Sequence, residues 1–397
     1  MNDGKIKRLI GAAICCVLAI IICIFGVGCE IIPDGPPNNT DSKWLKDVYK
    51  DYFSIGAAVL SYNVEKYEQG GLMQHFNSIT AENDMKWRFV EPKEGEFSFV
   101  EADKLITWAQ AHDTAVRGHT LLWYKSLPTW LVNKQMTKDE ALAVIDNHVV
   151  NVMTHFGDSI YAWDVANEVL RNSVSNQQLD SGDIWRTGGE VSYEANTVDW
   201  YALCGTDFIK QAFVSADKVR SELGLDVKLY YNDYSLNSPN KRQAVVKLVE
   251  MLREDGIAID GVGMQAHYRL PDYLADPEGF MKNFEDSVKT FTEMGLDVQI
   301  TELDIQVYPD NSSPQAYDAL PFDVEMAQAN MFADIFAVCR KYAVQKGENS
   351  GRVTNVTTWG VADDHTYAST SIHKEFPLLF NGDYTEKRAY YEIISFN

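Results

Sequence analysis

The sequence predicts a closed (β/α)8 barrel, a single α/β domain. Three observations carry that prediction. Short apolar, β-branched runs recur eight times along the chain. Helix-patterned stretches fill the intervals between them. A polar or aromatic residue stands at the end of seven of the eight runs.

In order, the runs are Phe53–Leu60, Ser78–Glu82, Ala115–Leu122, Ile160–Val165, Val227–Asn232, Gly261–Gln265, Val298–Leu303 and Asn355–Gly360. The helical patterns include Val100–His112, Lys138–His155, Thr206–Leu223, Lys241–Asp255, Glu278–Met294 and Val324–Gln345. Strand two ends in Glu82 and Asn83, and strand three in His119. Strand four ends in Asn167 and Glu168, and strand five in Asn232 and Asp233. Gln265 and His267 end strand six, Glu302 and Asp304 strand seven, and Trp359 strand eight. In such a barrel the C-terminal strand ends form the catalytic face. One polar strand end is an ordinary cap; seven on one rim are not explained by folding alone.

Besides Glu82, two of those ends carry a Glu, far apart in sequence: Glu168 after Trp163-Asp164-Val165-Ala166-Asn167, and Glu302 in Ile300-Thr301-Glu302-Leu303-Asp304. Paired carboxyls across a pocket are the minimum for breaking a glycosidic bond. One protonates the leaving oxygen, and the other attacks the anomeric carbon or activates water. Asn167 is placed to hydrogen-bond a sugar 2-hydroxyl. His267 and Asp304 can form a pair that holds Glu302 ionised. Trp87, Trp123, Trp359 and Tyr367 are candidate stacking faces for sugar rings.

The chain has 397 residues, 46% hydrophobic, enough for a large core, and a formal charge of −22. An acidic surface argues against nucleic acid or anionic lipid as a partner and suits a neutral polymer. Before the barrel, Lys5, Lys7 and Arg8 precede an apolar run from Leu9 to Gly28. Residues 1–29 therefore read as an export signal. Val27-Gly28-Cys29 is similar to the end of a bacterial lipoprotein signal, which would make Cys29 the lipidated first residue. A retained membrane anchor and simple secretion stay open, since the run is long enough to span a bilayer. All three place the barrel outside the cytoplasmic membrane. Residues 30–43, rich in Pro, Asn and Asp, read as a linker, and 44–397 as the barrel domain. Cys204 and Cys339 lack neighbours at metal-ligand spacing, so no structural zinc is expected. Buried free thiols are expected, with a disulfide between them as the alternative.

Seven strings in order resemble glycoside hydrolase family 10, whose members are mostly endo-β-1,4-xylanases. They are Thr80-Ala81-Glu82-Asn83-Asp84-Met85-Lys86-Trp87, Arg117-Gly118-His119-Thr120-Leu121-Leu122-Trp123, Trp163 to Glu168, Tyr231-Asn232-Asp233-Tyr234, Gly261 to His267, Thr301-Glu302-Leu303-Asp304 and Thr358-Trp359-Gly360-Val361. The resemblance implies Glu168 as acid/base and Glu302 as nucleophile, in a retaining mechanism through a covalent glycosyl-enzyme. The two carboxyls are then expected about 5–5.5 Å apart. It also implies that Glu82, Asn83 and Lys86 bind the sugar one place beyond the cleaved unit on the non-reducing side. His119, Trp123, Asn167, Gln265, His267 and Trp359 would surround the cleaved unit, with Tyr367 beside it and Asp304 and Asn232 in support. The implied substrate is xylan or xylo-oligosaccharide. No metal or organic cofactor is implied, and a monomer is the default.

Three departures from the family bear on substrate preference. Tyr124 and Ser126 stand where the family usually has His and Gln. Tyr367 stands where it usually has Trp. Arg171 to Trp200 is longer than usual and carries Trp185 and Trp200, an insertion expected on the leaving-group side. Two alternatives stay open: a related barrel glycosidase acting on β-glucan, and a surface glycan-binding protein of weak activity. A metal-dependent barrel hydrolase is disfavoured, because His75, His112, His148, His155 and His373 fall at helix or surface positions.

Overall fold

The computed structural model describes residues 43–192, 196–314, 317–344, 352–370 and 373–396. The described residues all belong to one compact unit, Asp41–Asn397. The expected export signal, with Cys29, and nearly all of the linker lie outside the described residues. Among those described, no helix is long and apolar enough to cross a membrane.

Among the described residues, nine parallel strands are present: β1 (Ser54–Val59), β2 (Ser78–Ala81), β3 (Ala115–Gly118), β4 (Ala162–Asn167), β5 (Lys228–Asp233), β6 (Gly261–Met264), β7 (His267–Arg269), β8 (Asp297–Gln306) and β9 (Val353–Thr358). Hydrogen bonds run in sequence order from β1 to β6, and from β1 through β9 to β8; a β6–β8 ladder closes the ring. Eight strands form the barrel, one for each predicted run. The ninth, β7, is a continuation of the sixth. The chain is offset between them at Ala266, whose φ of +61° is left-handed. After the offset, His267 pairs with Asp304 and Tyr268 with Ile305 on β8. Strand seven correspondingly runs on to Gln306, past the predicted end at Leu303.

The strands read as apolar runs because both faces are covered. β4 is buried at all six positions and β8 at nine of ten. Small residues let neighbours approach. A Cβ at Gly118 would come within 2.2 Å of the Trp163 ring, so the strand-three glycine makes room for a buried indole.

The six predicted barrel helices are present, within one or two residues at most ends. Thr137 and Glu140 cap Lys138–Phe156 reciprocally through Oγ1 and Oε2. Pro239 and Pro277 stand at the first position of theirs. The helix predicted over Val324–Gln345 instead spans Phe322–Lys341. It stops early because the next residues turn to bond β9: Tyr342 O accepts from Val353 N (2.8 Å), and Val344 N donates to Val353 O (3.1 Å). Gln345 lies outside the described residues. Cys204 and Cys339 are buried and free. Burial pushes their thiols up to about 11 and about 12, so neither is reactive near neutral pH.

Candidate active site

A cleft of about 580 Å³ opens at the C-terminal ends of the strands. Glu82, Asn83, Lys86, His119, Trp123, Asn167, Glu168, Gln265, His267, Glu302, Trp359 and Tyr367 all line it. Asn232 and Asp304 lie fully buried behind it. The barrel therefore brings together the residues predicted from sequence as catalytic or substrate-binding, with the exception of Trp87.

The two key carboxyls are joined by three amides. Gln265 Nε2 donates to Glu168 Oε1 (3.0 Å) and to Asn167 Oδ1 (3.1 Å). Asn232 Nδ2 donates to the same Asn167 oxygen (3.0 Å) and to Glu302 Oε1 (2.7 Å). The reverse orientation of Asn167 would set its N–H2 against both of those amide groups. Thr301 Oγ1 donates to Asn232 Oδ1 (2.6 Å), while the acceptor-only Glu302 carboxylate sets the amide nitrogen toward itself. Strand six must leave space for this crossing. A Cβ at Gly263, the β6 partner of Asn232, would stand 2.2 Å from Asn232 Oδ1.

Glu302 is held by a second arm. His267 Nδ1 lies 2.5 Å from Asp304 Oδ2, and its Nε2 lies 3.1 Å from Glu302 Oε2. Burial alone would disfavour charge on both. For His267 the Asp304 carboxylate outweighs burial, with the Glu302 bond adding to it, and raises the pKa to about 10. For Glu302 burial is overcome by the His267 hydrogen bond, by the His119 and His267 charges and by the Asn232 amide, which lower it to about 2. Glu302 is thus kept as a carboxylate. Gln306 Nε2 bridges Asp304 Oδ1 (3.2 Å) and the Tyr367 hydroxyl (3.0 Å). The Tyr367 ring meets His267 edge-on at 5.2 Å. Half its surface is exposed to the cleft while its hydroxyl reaches the buried Asp304.

Glu168 follows the last residue of β4 with φ +55°, a conformation that L side chains rarely adopt. Two bonds hold it there. Its N donates to Asn232 O (2.9 Å), and its O accepts from Arg186 Nε (2.7 Å). Its carboxyl oxygens accept from Gln265, from Asn167 Nδ2 (3.3 Å) and from Trp123 Nε1 (3.1 Å). His119 is anchored from below. Its Nδ1 lies 2.9 Å from Asp164 Oδ2, and Arg117 binds the same carboxylate through both terminal nitrogens. Lys86 Nζ bonds Asn83 Oδ1 (3.1 Å) and lies 5.1 Å from the centre of the Trp123 ring.

One aromatic candidate is not in the site. Trp87 begins a short helix, Trp87–Val90, which turns its ring inward. It stacks on buried His148 at 3.8 Å and on Trp200 at 6.0 Å, and its Nε1 donates to Glu91. It is core. Trp185 and Trp200 are buried as well. Of the departures, Tyr124 lines the cleft, whereas Ser126 does not.

Sequence reasoning missed Arg186, Asn172, Glu190 and Tyr234, which line the cleft beside Glu168. Arg186 donates to Asn172 Oδ1 (2.6 Å) and to the Tyr234 hydroxyl (2.8 Å) and lies 4.5 Å over the Tyr124 ring. Three of these residues lie in the long segment after strand four, where no motif flags them. Tyr234 stood inside a recognised string and could have been found there. His365 was also missed; its Nε2 approaches Glu82 Oε2 to 3.3 Å. Among the described residues, no group of His, Cys, Asp or Glu is arranged to hold a metal ion.

A family model for glycosyl hydrolase family 10 matches residues 44–396. The chain belongs to this family. A β-1,4-xylanase from Dictyoglomus thermophilum is 39% identical over 355 residues, covering 89% of this chain and 90% of that protein. Endo-1,4-beta-xylanase A of Caldicellulosiruptor saccharolyticus is 31% identical, covering 89% of this chain and 95% of that one. Among solved structures, a mutant in complex with xylotriose superposes with a TM-score of 0.77 at 32% identity, covering 89% of this chain and all of that one. The family-10 barrel and its rim of polar strand ends are therefore those expected from the sequence.

Proposed function

We propose that this family-10 protein is a retaining endo-β-1,4-xylanase, with Glu302 as nucleophile and Glu168 as acid/base. The observation that carries the assignment is the asymmetry of the two carboxyls. Glu302 receives a charged imidazole and an amide and stays ionised down to about pH 2. The Glu168 carboxyl accepts hydrogen bonds only from neutral N–H donors. In the first step a Glu302 oxygen bonds the anomeric carbon while the C–O bond to the leaving sugar breaks. Glu168 gives its proton to that oxygen. In the second step water attacks the anomeric carbon, Glu168 takes the water's proton, and Glu302 leaves as carboxylate. The amide ladder from Gln265 to Asn232 fixes both carboxyls in one frame, so the geometry is set before substrate arrives.

Glu82, Asn83 and Lys86 hold the sugar beyond the cleaved unit on the non-reducing side. Arg186, Asn172 and Tyr234, beside Glu168, face the leaving group. Residues 1–29 act as an export signal, with Cys29 as the lipidated first residue of a cell-surface enzyme that works as a monomer. Radiolabelled palmitate should enter the parent and not Cys29→Ala. For the activity, product analysis on glucuronoxylan, arabinoxylan and β-glucan is decisive. Short xylo-oligosaccharides from the xylans support the assignment, and activity confined to β-glucan overturns it.

A further inference from the structure

Tyr62 is the most exposed large hydrophobic side chain among the described residues, at 72%. It stands on the loop after β1, on the same rim as the catalytic carboxyls. That loop is fixed, not loose. Leu60 N donates to Asn63 Oδ1 (2.9 Å), Asn63 N to Leu60 O (3.0 Å), and Ser61 N to Asp84 Oδ2 (2.7 Å). The ring is therefore presented to solvent by a tied turn, at the cost of leaving an aromatic face wet.

Its neighbours lead to the cleft. The Tyr62 ring meets His365 edge-on at 6.2 Å. His365 in turn approaches Glu82, which lines the cleft, to 3.3 Å. β2, β1 and β9 are adjacent in the barrel, so their loops bring Glu82, Tyr62 and His365 together at one end of the cleft. Sugar rings have apolar C–H faces and hydroxyl edges. An exposed aromatic face flanked by a carboxylate and an imidazole matches both.

We infer that Tyr62, with His365 and Glu82 beside it, forms a further sugar subsite for the third xylosyl unit on the non-reducing side. The inference rests on the reading in which Glu82, Asn83 and Lys86 hold the second unit. Tyr62 lies beyond the catalytic machinery and acts by binding alone, so it favours longer glycones without altering the chemistry.

The test compares 4-nitrophenyl β-xylobioside with 4-nitrophenyl β-xylotrioside, read by nitrophenol release from the full protein. The parent is expected to show a higher kcat/KM on the trioside. Tyr62→Ala should lower kcat/KM on the trioside about fivefold and leave the bioside unchanged. Tyr62→Phe, which keeps the ring, should retain most of the preference. A parent without trioside preference, or a Tyr62→Ala that slows both substrates equally or neither, overturns the subsite. A parent inert on both overturns the xylanase reading itself, and the subsite with it.

Discussion

Asn232 on β5 reaches Glu302 on β8 across the intervening strand, with 2.7 Å between amide nitrogen and carboxylate oxygen. It can do so because β6 carries Gly263 at the crossing point. The setting of Glu302 therefore depends on a residue with no side chain.

Gly263→Ala should separate the two. A methyl group 2.2 Å from Asn232 Oδ1 must displace that amide. We expect kcat on xylan to fall about tenfold or more with KM little changed, and stability to fall by about 1–3 kcal/mol. Steady-state kinetics and denaturant unfolding check both. An unchanged kcat would mean that the Asn232 contact is dispensable.

His267→Asn removes the charge that keeps Glu302 ionised. The Glu302 pKa should then rise from about 2 toward its ordinary value of 4.5, because burial is opposed only by the His119 charge and the Asn232 amide. The acid limb of kcat/KM on an aryl β-xylobioside should move to higher pH. An acid limb in the same place as the parent's would show that His267 does not govern Glu302.

The same pair makes stability depend on pH in two windows. Glu302 is depressed, so its contribution is present above 4.5 and is lost as pH falls to about 2. His267 is raised, so its contribution is present below 6.5 and is lost as pH rises through about 10. The Tm difference between parent and His267→Asn should be largest between those windows and shrink at both ends. A difference independent of pH would contradict both shifts.

Tyr367→Phe keeps the stacking face and deletes the hydroxyl that Gln306 bridges to Asp304. About a three- to tenfold loss in kcat is expected with little change in KM. A loss confined to KM would make Tyr367 only a sugar platform.

Much of this was legible in the chain. Alternating runs gave the barrel, because strands covered on both faces must be apolar and helices must pack outside them. Polar residues at strand ends then named the rim. What failed had local causes. Trp87 sits beside rim residues in sequence, but a four-residue helix turns it onto His148. The β7 offset depends on a left-handed Ala266, a backbone choice that an alanine does not announce. Arg186 earns its place at Glu168 through a loop without periodicity, and His365 through three loops that meet only in the folded barrel.

Glu168→Ala should separate leaving groups. Substrates with poor leaving groups need the proton and should slow about a hundredfold or more, while activated aryl xylosides need it little. Equal slowing of both would remove Glu168 from the acid role.

The most direct test of the central claim is covalent trapping with a 2-fluoro-xylobioside, followed by peptide mass mapping. The account predicts one adduct, on Glu302, and none in Glu302→Gln. An adduct on Glu168 or elsewhere, or no adduct in an active enzyme, would contradict it.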